Sequence, residues 1–160
     1  MHETPEDLTA LQLLLDESHA AAGAHLRSIF NDERRIPAAE LPGLLPGVQV
    51  LDLATVTAAG EPRVAPVDGL FYRGSFWFGS AHDSARFRHL RRNPAVSAAH
   101  TRGEELAVVV HGAAHETDLT DHPFREFCLE VYGPAWERWG APAAYARIEA
   151  RKMFTFRSTS

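Results

Sequence analysis

Residues 50–94 read VLDLATVTAAGEPRVAPVDGLFYRGSFWFGSAHDSARFRHLRRNP, and the order of turn signals in this stretch decides the fold. Val48 to Val56 is rich in β-branched residues, and Ala58-Ala59-Gly60-Glu61 marks a tight turn into an extended segment from Pro62 to Val67. A further strand, Leu70 to Tyr72, turns at Arg73-Gly74 into Ser75 to Gly79, where Phe76 and Phe78 alternate against Trp77. Strands joined by such short turns form hairpins, because a parallel pair needs a long crossover between its members. At Asp83 and Ser84 the pattern changes. Both are candidate N-caps for a short helix running to Arg92, and Asn93-Pro94 ends it with a residue that cannot continue a helix.

Outward from this core, strands are predicted at Ala95 to His100 and from Leu106 to about Glu116, with a turn at Arg102-Gly103. Pro123 to Tyr132 reads as helix, and Gly133 to Pro142 as loop or broken helix around Trp136 and Trp139. The last strand, Tyr145 to Phe156, places Ala146, Ile148, Ala150, Phe154 and Phe156 on one face and Arg147, Glu149 and Arg151 on the other. Upstream, Thr4-Pro5-Glu6 supplies a cap, an N1 proline and an acid in the first turn of a helix whose Leu8, Leu11, Leu14 and Leu15 form an apolar stripe. A second helical stretch, Ala20 to Phe30, follows, with Gly23 as a candidate break. The segment from Asn31 to Gly47 is a proline- and glycine-bearing connector with one helical turn expected at Ala38 to Leu41. The resulting expectation is a mainly β fold with flanking helices: a six-stranded antiparallel barrel with an inserted short helix. Residues 1–46 form an N-terminal helical extension and linker, and residues 47–160 the barrel.

The chain has 160 residues, 45% hydrophobic and 23% charged, proportions that suit one soluble domain with a closed core. No apolar run is long enough to span a bilayer, and the polar start MHETPEDL carries no signal-peptide pattern. A net charge of -5 argues against nucleic acid as a partner. The single cysteine, Cys128, cannot form an internal disulfide and fits a cytoplasmic protein. It lies between apolar neighbours in FREFCLEVYG, where burial is its expected role.

Chemistry concentrates between Gly79 and Pro94. A strand ends in the hydroxyl residue Ser80, and a helix begins after Ser84 with Arg86 in its first turn. A helix N-terminus presents unpaired N–H groups and partial positive charge, so it attracts anions. The ordinary reading of Ser84 is a cap, and arginines 88, 91 and 92 toward the helix end answer its dipole. Arg86 is the exception, since a cation in the first turn is disfavoured unless an anion sits beside it. Ser80, Ser84 and Arg86 therefore describe a phosphate cradle without a glycine-rich loop. His82, in the cradle loop, either reaches the same ligand or faces solvent.

The segment resembles the pyridoxamine 5′-phosphate oxidase-like family of flavin-binding split β-barrels. The resemblance rests on Ala54-Thr55-Val56 with Gly60 and Pro62; Val64 with Pro66-Val67; Trp77-Phe78 with Ser80; and Ser84, Arg86, Leu90 and Asn93-Pro94, in family order. It implies a homodimer that binds flavin mononucleotide (FMN) in a groove between subunits, with the phosphate on Ser80, Ser84 and Arg86. It also implies that the strand from Val64 through Pro66 and Val67 to Asp68 lies along the isoalloxazine ring, largely through backbone groups, with Pro66 able to offer only a carbonyl. The implied activity is a flavin-dependent oxidoreductase acting on a small-molecule substrate that the sequence does not identify. Ala85 and Asp68 replace residues that are basic, or basic or hydrophobic, in many relatives, so vitamin B6 oxidation is not expected. Some related proteins use the 8-hydroxy-5-deazaflavin coenzyme in the same cradle, and a flavin- or haem-binding module without turnover is the third reading.

Other constellations point elsewhere. His111 and His115 fall on the same side of a strand but ~13 Å apart, too far to share a metal ion, and no metal site is expected. No G-x-S-x-G nucleophile elbow occurs. Trp136 and Trp139 are expected either to pack on the barrel end or to line the cofactor groove from the partner subunit. No residue stands out as an acid or base, His82 and Asp68 being the nearest.

Overall fold

The computed structural model describes residues 1–159. Its elements are α1 (Pro5–Ala21), α2 (Ala24–Ile29), α3 (Leu41–Leu44), β1 (Val48–Val56), β2 (Pro62–Tyr72), β3 (Ser75–Ser80), α4 (Ala85–Arg92), β4 (Ala95–Arg102), β5 (Leu106–Glu116), α5 (Pro123–Tyr132), α6 (Trp136–Trp139) and β6 (Ala144–Arg157). The six strands close an antiparallel barrel in the order β1-β2-β3-β6-β5-β4. This is the expected architecture, with α4 inserted between β3 and β4. No helix among the described residues is long and apolar enough to cross a membrane.

Local chemistry explains the elements. Thr4 caps α1 by accepting from the Asp7 N–H, while the Asp7 carboxylate accepts from the Thr4 N–H, a reciprocal capping box beside the N1 proline. The helical run breaks at Ala22-Gly23, as the glycine suggests. The turn expected at Ala38 to Leu41 forms three residues later, as α3, because Pro42 sits at the start of a helix more readily than inside one. β2 runs unbroken from Pro62 to Tyr72 rather than as two strands, since Gly69 continues the ladder between Gln49 and Phe78.

Alternation fills the barrel with Leu51, Leu53, Phe76, Phe78, Val108, Val110, Ile148 and Met153, and α1, Ile36, Leu41 and Leu45 join the same cluster. The last strand departs from the single-face expectation. A bulge leaves Arg151 without a partner between Ala150 and Lys152, so inward parity shifts from Ile148 and Ala150 to Met153 and Thr155. Phe154 and Phe156 consequently turn outward and meet Phe30 edge-on at 5.8 and 5.9 Å. Thr155, facing inward, accepts from the Ile36 N–H and donates to the Ile36 carbonyl, which ties the linker to the barrel.

A second cluster lies outside the barrel, where α5 and α6 pack on β3 and the start of β6. Trp77 stacks on Phe124 at 4.2 Å, and Cys128 and Trp136 are fully buried there. Burial pushes the Cys128 thiol up to about 12.

Candidate functional site

The barrel has a seam. Pro62 to Leu70 of β2 pairs with β1 along one edge, but β3 pairs only with Gly69 to Tyr72 along the other. The second edge of Pro62 to Asp68 therefore carries no strand. Every residue from Pro62 to Pro66 is exposed, as is Asp68, whereas Val67 is buried against the core. Backbone groups alternate between the two edges of an antiparallel strand. The Arg86 guanidinium donates to the Pro66 carbonyl at 3.1 Å from outside the ladder, so the groups of Val64, Pro66 and Asp68 face the open edge. Those of Val67 face Leu51 on β1.

α4 stands beside this edge. Ser84 adopts an extended backbone, and its side chain accepts from the Phe87 N–H at 3.4 Å, so its hydroxyl caps the helix and keeps its own proton for another acceptor. Phe87 and Leu90 anchor α4 in the barrel, fixing the direction of Arg86. The guanidinium is half-buried and, among the described residues, pairs with no carboxylate. Its burial lowers its pKa, because partial loss of water disfavours the charged form. An arginine held desolvated in the first turn of a helix, with only a carbonyl as acceptor, has unused capacity for an anion.

The other arginines of α4 are committed elsewhere. Arg88 donates to the Asp83 carbonyl. Arg91 forks onto both carboxylate oxygens of Glu116 at 3.0 Å and donates to the His82 carbonyl at 2.7 Å. The Arg91 hydrogen bond holds the Glu116 carboxyl below its usual range. This network ties the cradle loop to β5, and it turns the exposed His82 imidazole toward Glu116, 3.6 Å away. The candidates thus divide: Arg86 reaches the Val64–Asp68 edge from the helix that Ser84 caps, whereas His82 is engaged with Glu116. Ser80 ends β3 at a cavity it shares with Asp68.

That cavity, of about 240 Å³, lies between the end of β3 and the α5–α6 segment. Tyr132 and Trp139 line it, and Trp136 does not: it is buried behind, donating through Nε1 to the Tyr145 hydroxyl at 2.9 Å. Trp136 thus takes the packing role, and Trp139 lines this cavity of its own chain. Tyr132 had no signal in the sequence beyond its place at a helix end.

No family model matches the sequence, and no curated protein matches it. Solved structures do match the fold. A conserved hypothetical protein of Mycobacterium tuberculosis superposes with a TM-score of 0.62 at 20% identity, over 79% of this chain and 88% of that one. A FAD-binding protein of Mesorhizobium loti gives 0.60 at 24% identity, over 79% and 98%. A candidate pyridoxamine 5′-phosphate oxidase of Listeria innocua gives 0.59 at 16% identity, over 75% and 98%. The chain therefore has the barrel fold of these proteins. At such identities the likeness is one of architecture alone.

Proposed function

We propose that the protein is an FMN-binding oxidoreductase of the pyridoxamine 5′-phosphate oxidase-like type, working as a homodimer. The observation that carries this reading is Arg86, a half-buried guanidinium without a carboxylate partner, beside a helix N-terminus and an uncovered strand edge. The donor set suits a phosphomonoester: Arg86 offers a fork, Ser84 and Ser80 offer hydroxyls, and the N-terminus of α4 adds its partial positive charge. The open edge at Val64, Pro66 and Asp68 suits the polar rim of a flavin ring, with N–H groups at 64 and 68 and carbonyls at all three. FMN, when bound, supplies the hydride chemistry; the chain's residues bind it, orient it and shield it from water.

The homodimer is supported by the outer face of β1 and β2. Val48, Val50 and Val64 are 41%, 55% and 69% exposed, on adjacent strands next to the open edge. Exposed valines repeated along one outer face favour a partner, although Asp52 and Asp68 stand among them, and a second copy would cover the edge as well as the valines.

Titration of the purified apoprotein with FMN, followed by flavin fluorescence, tests the reading, with sedimentation reporting the assembly. Saturable binding of FMN to a dimer, with riboflavin much weaker, is the expected result. A colourless protein that ignores FMN and binds the 8-hydroxy-5-deazaflavin coenzyme would replace it with the deazaflavin reading.

A further inference from the structure

The cavity beside the cradle has a composition that the phosphate site does not explain. Its floor is aromatic: Trp77 and Phe124 stack at an interplanar angle of 16°, and Tyr145 lies against Gly79, where a side chain would overlap its ring. One wall is Tyr132, met edge-on by Trp139 at 5.0 Å and 85°. Trp139 is 57% exposed, whereas Trp77 and Trp136 are buried. Asp68 is the single charged side chain in the lining. Among the described residues it makes no ion pair and no side-chain hydrogen bond. Burial, together with the Asp68 charge, pushes the Tyr132 phenol up to about 12, so this hydroxyl stays protonated at the cavity wall.

Aromatic faces attract cations through their quadrupoles, and an unpaired carboxylate at the mouth adds charge of the right sign. An anion inside the cavity would meet Asp68, and the lining holds no base to compensate it. The cavity is smaller than the roughly 300–1,000 Å³ of pockets that enclose drug-sized ligands, so it holds one or two rings rather than a whole flavin. We infer that this cavity is the substrate subsite and that it takes a flat organic cation of one or two rings, packed against Trp139 and Tyr132 and paired with Asp68. Its assignment to substrate rests on the flavin reading above, since Ser80 and Asp68 belong both to this cavity and to the proposed cofactor site.

Calorimetry with N-methylquinolinium, neutral quinoline and anionic 2-naphthoate, on the protein with and without FMN, tests the inference. The expected order is N-methylquinolinium tightest and 2-naphthoate weakest, in both forms. Asp68→Asn should weaken the cation about tenfold while changing quinoline affinity less than about twofold. Trp139→Ala should weaken both, and Trp139→Phe should restore most of the loss. Equal affinities for the cation and quinoline, or a cation affinity unmoved by Asp68→Asn, would overturn the inference. Competition between FMN and N-methylquinolinium would overturn it too, by making the cavity part of the flavin site, and would leave the flavin reading intact. Asp68-dependent cation binding by a protein that ignores FMN would uphold the cation selectivity and remove the flavin reading.

Discussion

Arg86→Met separates a ligand-binding role for this residue from a structural one. Methionine keeps most of the apolar stem, so the side chain still lies toward β2 while the guanidinium is lost. A charge-assisted hydrogen bond contributes ~1.5–3 kcal/mol. At about 1.4 kcal/mol per tenfold, FMN affinity should therefore fall between about tenfold and about 150-fold. The free protein should respond differently. It loses a bond to the Pro66 carbonyl but also sheds a cation whose burial already disfavours its charge. Its urea midpoint is thus expected to hold steady or rise. Calorimetric titration of wild type and variant with FMN and with riboflavin reads the phosphate contribution directly, because riboflavin lacks the group Arg86 is argued to grip. Riboflavin affinity should change little. FMN affinity within about twofold of wild type would refute the reasoning, as would an equal loss for both flavins.

Three further outcomes follow from the fold and its charges. Gly112→Ala should lower stability by ~1–3 kcal/mol in urea denaturation, because a Cβ there overlaps the Glu149 carbonyl at the bulge and backbone must move; an unchanged midpoint would contradict the close approach. Glu116 has a folded pKa below its ordinary 4.5, so the stability it gains from Arg91 is complete above that value and is lost as pH falls through the lower, folded one. Glu116→Gln should accordingly be less stable than wild type at neutral pH, with the gap closing in acid; a gap that widens on acidification would reverse the assignment. Cys128, fully buried with its thiol pushed up to about 12, should resist a thiol reagent in the native protein and react only as urea unfolds it. Rapid stoichiometric labelling without denaturant would show that α5 opens locally.

Much of the architecture follows from local rules that the sequence carries in short windows. Turn residues at 58–61 and 73–74 set hairpins, strand alternation sets the inward face, and Thr4-Pro5 and Ser84 set helix starts, so antiparallel strands with an inserted helix are legible without coordinates. Arg86 was legible too, because a cation in a first turn conflicts with the helix dipole whatever surrounds it. The remainder depends on residues far apart in sequence. The parity change in β6 arises from a bulge opposite His111 and Gly112, an event between two strands that neither strand encodes alone. The open edge of β2 exists because β3 ends its pairing at Phe78, opposite Gly69, and the fate of His82 is set by Glu116 and Arg91 on other elements. The aromatic cavity joins Asp68 to Tyr132 and Trp139, more than sixty residues downstream. Periodicity reports which face of an element is apolar, but only chain closure decides which faces meet, and with them which charges are left without a partner.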